Sequence, residues 1–179
     1  MDVVPLLKSL SDAAGVSGYE SGVAQLVREA FGALADDVRA DAMGNIIALK
    51  RGSGTEPRGR IMLAGHMDEI GLMVTALDKG FLRFTQVGGF DVRTLPGQEV
   101  VVHGRRDLPG VIGARPPHVL TAAERGTPRP MDELFVDVGL CQDELVEVVR
   151  VGDIITLRAG SVELKNGRLA GKAFDDRAA

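Results

Sequence analysis

From about Glu69 onward the chain is a succession of short apolar runs cut by turn residues, and this texture limits the possible folds more than any other feature. "IGLMVTAL", "FLRFTQV", "EVVVHG", "GVIGA", "LFVDVG", "DIITL", "SVEL" and "RLAGKA" follow one another, separated by "DKG", "LPGQ", "DLPG" and "KNG". Runs this short, each bounded by Gly, Pro or Asn, predict a small β-barrel or sandwich. One helix, near Gln142 to Val149, is expected among them. The proline-rich, mixed-charge stretch "RPPHVLTAAERGTPRPMDE" is read as a long surface excursion.

The first 68 residues have a different pattern. Val23, Leu26, Val27, Ala30, Phe31 and Leu34 fall on the i, i+3, i+4, i+7 stripe of an amphipathic helix. An earlier helix over Val3 to Ala14 is expected to end at Gly15, which tolerates a left-handed cap. "DDVRAD" and "NIIALK" read as two strands joined through "AMGN", and "RGSGTEPRG" as an exposed loop. Ile61 to Ala64 form an apolar run of the kind found in strands buried on both faces. Helices followed by such strands predict an α/β layer, so the fold class is α/β, with an α/β domain interrupted by a β domain. No fixed-period repeat is present, which excludes a solenoid or propeller.

Composition narrows the partners. A formal net charge of -4, 4% aromatic residues and no dense Lys/Arg block argue against nucleic acid as a main partner. The opening "MDVVPLLKSL" has Asp2 where a secretory signal carries positive charge, and no span reaches transmembrane length, so no membrane partner and a cytoplasmic location are expected. The single cysteine, Cys141, excludes an internal disulfide and a Cys-rich zinc site, and is expected to be a partly buried small residue.

Two short stretches carry candidate chemistry. In "GHMDEIG", His66 and Asp68 stand two apart at the end of the apolar run, and carboxyl ends of strands in open α/β sheets are where ligands bind. A histidine metal ligand needs its second ring nitrogen held by an acceptor, which Asp68 can supply; a hydrogen-bonded structural histidine is the competing reading. In "AFDDR", the adjacent carboxylates Asp175 and Asp176 repel unless a cation or a raised pKa relieves them. Arg177 is expected to neutralise one, and a metal to take the other. A carboxylate can bridge two divalent ions about 3.5–4 Å apart, while a solvated turn with an arginine contact is the simpler alternative. His103 is read as structural and His118 as a group that could reach a cleft. There is no G-x-S-x-G, P-loop or G-x-G-x-x-G.

In order along nearly the whole chain, "GVSGYE", "DAMGNIIALK", "AGHMDEIGLMV", "VGGFDVRTLPGQEVVVHG", "GVIGARPPH", "LFVDVGL", "VGDIITL" and "GKAFDDRAA" resemble the metallo-aminopeptidases that include bacterial glutamyl aminopeptidases and archaeal tetrahedral aminopeptidases. The resemblance implies an incomplete α/β/α metallopeptidase domain over 1–68 and 171–179, with a small β-barrel-like dimerisation domain inserted over 69–170. It implies two divalent metal ions, zinc or cobalt, with His66 as a ligand of one, Asp175 as the bridge, and Asp68 as the catalytic acid residue supporting His66. Asp176 is implied to shape the bridging turn. Peptides are the implied substrates, hydrolysed from the amino terminus by a metal-activated water, and a homododecamer is the implied assembly.

The family's general-base glutamate and its later ligands lie beyond the "DDR" motif. The chain is therefore expected to be an N-terminal part of a longer enzyme and inactive alone. Ile46 to Leu49 and Ile61 to Ala64 are expected to want sheet neighbours. The alternative from another class is a non-catalytic oligomerisation or binding module built on the β region.

Overall fold

Asp2 opens the first helix by accepting a hydrogen bond from the amide of Val4 at 3.2 Å, which satisfies one of the free N–H groups at a helix start. A computed structural model describes residues 2–122 and 126–178. The chain divides into two units, Met1–Glu69 with Gly160–Ala179, and Ile70–Ala159.

The split unit holds α1 (Val3–Asp12) and α2 (Ser21–Gly32), followed by β1 (Asp37–Ala40) and β2 (Ile46–Leu49). The expected second helix forms but stops at Gly32, so Leu34 lies beyond it and is exposed. β1 and β2 pair antiparallel, with Val38 opposite Ala48 and Arg39 opposite Ile47. Asp41 closes their connection by accepting from the amides of Met43 and Asn45. Burial in this unit is sparse: Leu10, Val16, Val23 and Ala173 are its buried apolar residues.

The barrel unit contains β3 (Gly71–Asp78), β4 (Phe81–Val87), β5 (Glu99–His103), β6 (Asp107–Gly113), β7 (Phe135–Asp137), α3 (Gln142–Val148) and β8 (Ile154–Leu157). Its six strands close in the order β3-β4-β7-β6-β5-β8. Closure removes the free sheet edges that a short-stranded open sheet would expose. On β5, Val100 and Val102 are fully buried, while the alternate residues Glu99, Val101 and His103 are not, the period-2 signature of a one-sided core. Leu72, Leu82, Ile112, Leu134, Val136 and Ile155 complete the centre of that core, each worth about 1.5–3 kcal/mol on burial. The β3–β4 turn has Lys79 at φ 54° and Gly80 at φ 88°, the two positive values that suit a tight hairpin with the strands' own twist. β3 and β8 are ladder neighbours, with Leu72 opposite Ile155 and Met73 opposite Ile154. The first and last strands of the unit therefore lie side by side.

β9 (Val162–Leu164) and β10 (Arg168–Ala170) form a separate two-stranded ladder. The sequence-based division at residue 171 and the division by contacts at residue 160 differ by this hairpin. Three-residue strands joined by a tight turn look the same in composition whether they join a barrel or pair only with each other.

Two local expectations are corrected. Ile61, Met62 and Leu63 are 91%, 89% and 91% exposed, and the run belongs to no strand. A strand buried on both faces needs a neighbour on each side, and no described segment pairs with this one. Cys141 is exposed rather than partly buried, because it occupies the N-cap of α3, where its amide donates to Glu144 Oε2 at 3.1 Å. In the proline-rich excursion, residues 123–125 lie outside the described residues. The remainder carries short 3₁₀ turns at Pro117–Val119 and Met131–Glu133.

Candidate metal centre

The site is built where the last residues of the split unit return beside its first loop. α1 ends at Asp12, leaving carbonyls without helical partners. Arg177 supplies the donors. Its Nη1 donates to Leu10 O at 2.8 Å and Ala13 O at 2.7 Å, its Nη2 to Gly15 O at 3.3 Å and its Nε to Met67 O at 2.6 Å. A cation at a helix C-terminus is also favoured by the helix dipole. Arg177 is only 8% exposed, and burial pushes its pKa down, opposed by the nearby carboxylates of Glu69 and Asp68. Among the described residues this guanidinium bonds backbone carbonyls, and neither Asp175 nor Asp176. The expectation that it balances one of those carboxylates is corrected: a buried guanidinium must fill its donors, and the carbonyls of Leu10, Ala13, Gly15 and Met67 fill them.

A second buried charge sits beside it. Lys172 Nζ pairs with Glu69 Oε2 and donates to Ala13 O at 3.2 Å. The two side chains are 7% and 4% exposed. Burial lowers the Lys172 pKa, and the bond to Glu69 opposes that shift. Glu69 Oε1 also accepts from the amide of Gly15 at 3.1 Å, and the Glu69 amide donates to Gly15 O at 2.8 Å. The loop after α1 is thus clamped by Arg177, Lys172 and Glu69. Gly15 has no room for a side chain, since a Cβ there would lie 2.6 Å from Arg177 Nη2 and 2.9 Å from Val23 Cγ1.

This clamp brings His66, Asp68 and Asp175 together. His66 Nδ1 lies 3.1 Å from Asp68 Oδ1 and 3.2 Å from the Asp68 carbonyl oxygen. Both neighbours are acceptors, so the neutral tautomer that satisfies them has its proton on Nδ1 and its lone pair on Nε2. Nε2 faces Asp175 Oδ1 at 3.8 Å. Asp175 is 97% exposed at its side chain, in a turn closed by Ala178 N donating to Phe174 O at 3.0 Å. Asp176 stands half-buried in the same turn, and the Asp175–Asp176 peptide is cis.

The donor set fits a divalent ion. Zinc bonds nitrogen and carboxylate oxygen at about 2.0–2.2 Å, so one ion can span the gap between Nε2 and Oδ1. Among the described residues no group of three or more His, Cys, Asp or Glu is arranged to hold one ion. His103 is held elsewhere, between Asp107 Oδ1 at 2.8 Å and Thr156 Oγ1 at 2.9 Å. His118 is exposed in the 117–119 turn.

Sequence reasoning missed three residues here. Ser17, whose hydroxyl donates to Asp68 Oδ2, stands in "GVSGYE" without any marker of its role. Glu69 and Lys172 stand inside "MDEIG" and "GKAF"; a charge next to apolar residues was the available signal, but nothing joined positions so far apart.

Residues 44–179 match the M42 glutamyl aminopeptidase family. The lysyl aminopeptidase of Pyrococcus furiosus is 36% identical over 96% of this chain and 50% of its own. Among solved structures, a TET aminopeptidase from the marine sediment archaeon Thaumarchaeota archaeon SCGC AB-539-E09 superposes with a TM-score of 0.90 at 36% identity, covering 99% of this chain and 51% of that one. The TET1 peptidase of Pyrococcus horikoshii, which can assemble into a tetrahedron or a large octahedral shell, gives 0.83 at 34% identity, covering 98% and 52%. The chain thus spans about half the length of the relatives it matches. It belongs to the M42 glutamyl aminopeptidase family.

Proposed function

We propose that the chain is part of a metal-dependent aminopeptidase, and that His66 and Asp175 hold divalent metal at its active centre. The observation that carries this reading is the 3.8 Å approach of His66 Nε2 to Asp175 Oδ1, made by residues from the two ends of the split unit. His66 binds through Nε2. Asp68 holds the ring through Nδ1 and keeps that nitrogen protonated. Asp175, with its carboxylate open to solvent, has a second oxygen free for a second ion. Divalent ions there supply an acidified water and polarise a substrate carbonyl. Zinc or cobalt suits the His and Asp donors, peptides with a free amino terminus are the substrates, and the cytoplasm is the location.

The first ion would have two protein donors, His66 and Asp175, and a second ion only Asp175, short of the three that catalytic zinc centres use, so these residues are expected to bind metal weakly and to turn over no peptide by themselves. Zinc titration of wild type, His66→Ala and Asp175→Asn tests the ligand assignment. Uptake unchanged in both variants would overturn it, as aminopeptidase turnover by the purified chain would overturn the inactivity.

A second reading is favoured by the closed barrel with its own core: self-association through residues 70–159, the split unit serving as support. Sedimentation of the chain with and without zinc separates the two. Stable oligomers that ignore metal favour the module; metal uptake through His66 favours the enzyme part.

A further inference from the structure

We infer that Ser17 is a positioning residue for the metal centre, acting through Asp68; the inference rests on the reading of His66 as a ligand. Asp68 has two carboxylate oxygens and a bond it can turn about. Ser17 Oγ donates to Oδ2, which leaves Oδ1 directed at His66 Nδ1. With Oδ2 tied to the hydroxyl, rotation of the carboxylate breaks that hydrogen bond as well as parting Oδ1 from Nδ1. A charge-assisted bond of this kind is about twice as strong as a neutral one.

The hydroxyl is itself well placed. Gly15 and Val16, just before Ser17, are fixed by Glu69 and Arg177 through Gly15 N, Gly15 O and the Val16–Glu69 bridge. Tyr19 N closes the following turn on Val16 O at 2.7 Å. Ser17 therefore carries the rigidity of the buried charges out to an exposed carboxylate. The path runs from the Lys172–Glu69 pair through the loop to Ser17, then to Asp68, and so to the imidazole.

The Asp68 carbonyl oxygen also faces Nδ1, so losing the hydroxyl loosens the ring without freeing it. Removing a partner that orients a metal-bound histidine costs about 10–100-fold in affinity. Ser17 lies one bond further out, and Ser17→Ala is expected to weaken zinc binding roughly threefold to tenfold. Ser17→Thr, which keeps the hydroxyl, is expected to stay within about twofold of wild type.

The experiment uses the 179-residue chain, zinc alone as the probe in calorimetric titration, and His66→Ala as the reference for lost uptake. In parallel, long-range proton–nitrogen correlation of the imidazole reads the His66 tautomer without metal. Wild type and Ser17→Thr should show the Nδ1–H form, and Ser17→Ala a mixture, at unchanged thermal midpoint. Zinc affinity and tautomer both unchanged in Ser17→Ala would overturn the inference. If wild type and His66→Ala take up zinc alike, the ligand reading falls instead, and the tautomer still decides whether Ser17 orients the pair.

Discussion

The barrel unit and the split unit solve the problem of small size in opposite ways. Residues 70–159 close six short strands around Leu72, Val102, Ile155 and their neighbours, so their stability comes from apolar area that any similar set of side chains supplies. Residues 1–69 and 160–179 bury few apolar side chains and rely on Arg177, Lys172 and Glu69, charged groups that fit only with their partners in place. A buried ion pair adds little net stability over an apolar pair of the same shape, yet losing one member is costly. Burial by area therefore tolerates change, while burial by matched charge fixes geometry, and the candidate centre sits on the second kind of scaffold.

Breaking one side of this contrast should leave the other standing. Lys172→Met strands the Glu69 carboxylate in the interior and should cost about 3–5 kcal/mol. Amide exchange should show lost protection in α1 and around Gly15, with the barrel strands unchanged. Adding Glu69→Leu to Lys172→Met should recover much of the loss, because the stranded carboxylate is gone; no recovery would mean that Glu69 is needed for more than balancing Lys172, Arg177 being its other charged neighbour. Ile155→Ala makes a cavity in the barrel and should cost about 2–5 kcal/mol there, with zinc uptake at His66 retained.

Gly15→Ala sharpens the contrast at a single atom. The new methyl meets Arg177 Nη2, and overpacking of this sort costs about 1–3 kcal/mol. Thermal melts followed in the split unit should register it, and zinc affinity should fall with it. The smallest effect concerns an exposed pair on the barrel unit. Hydrogen bonds from Arg93 pull the Asp91 carboxyl from its ordinary 3.8 down to about 2. Because the folded value is lowered, the contribution is complete above 3.8 and is lost as pH falls through about 2. A carbon-detected titration should place the Asp91 midpoint near 2, and Arg93→Ala should return it towards 3.8.

Legibility in the sequence followed the same division. The barrel strands show in their short apolar runs and their turn residues, signals local to each run, and the second helix shows in its 3.6-residue stripe. Ile61 to Ala64 mislead because an apolar run reports what a strand would bury, not whether neighbours exist to bury it. At the centre, His66, Asp68 and Asp175 stand out by residue type. The groups that hold them, Ser17, Glu69, Lys172 and the inward-turned Arg177, do not, since each works through a partner far along the chain.

The adjacency of β3 and β8 has a consequence for the order of folding. The split unit is made from two stretches separated by the whole of residues 70–159, and joining them from an open chain carries the entropy cost of closing a long loop. Once the barrel has closed, its entrance and exit are neighbours, and the effective loop shrinks to a few residues. By the logarithmic scaling of loop closure, that saves on the order of 2 kcal/mol. The barrel then acts as a splice that makes two distant stretches nearly contiguous, and the Asp175 turn is expected to dock last, after the ring of strands has drawn its ends together.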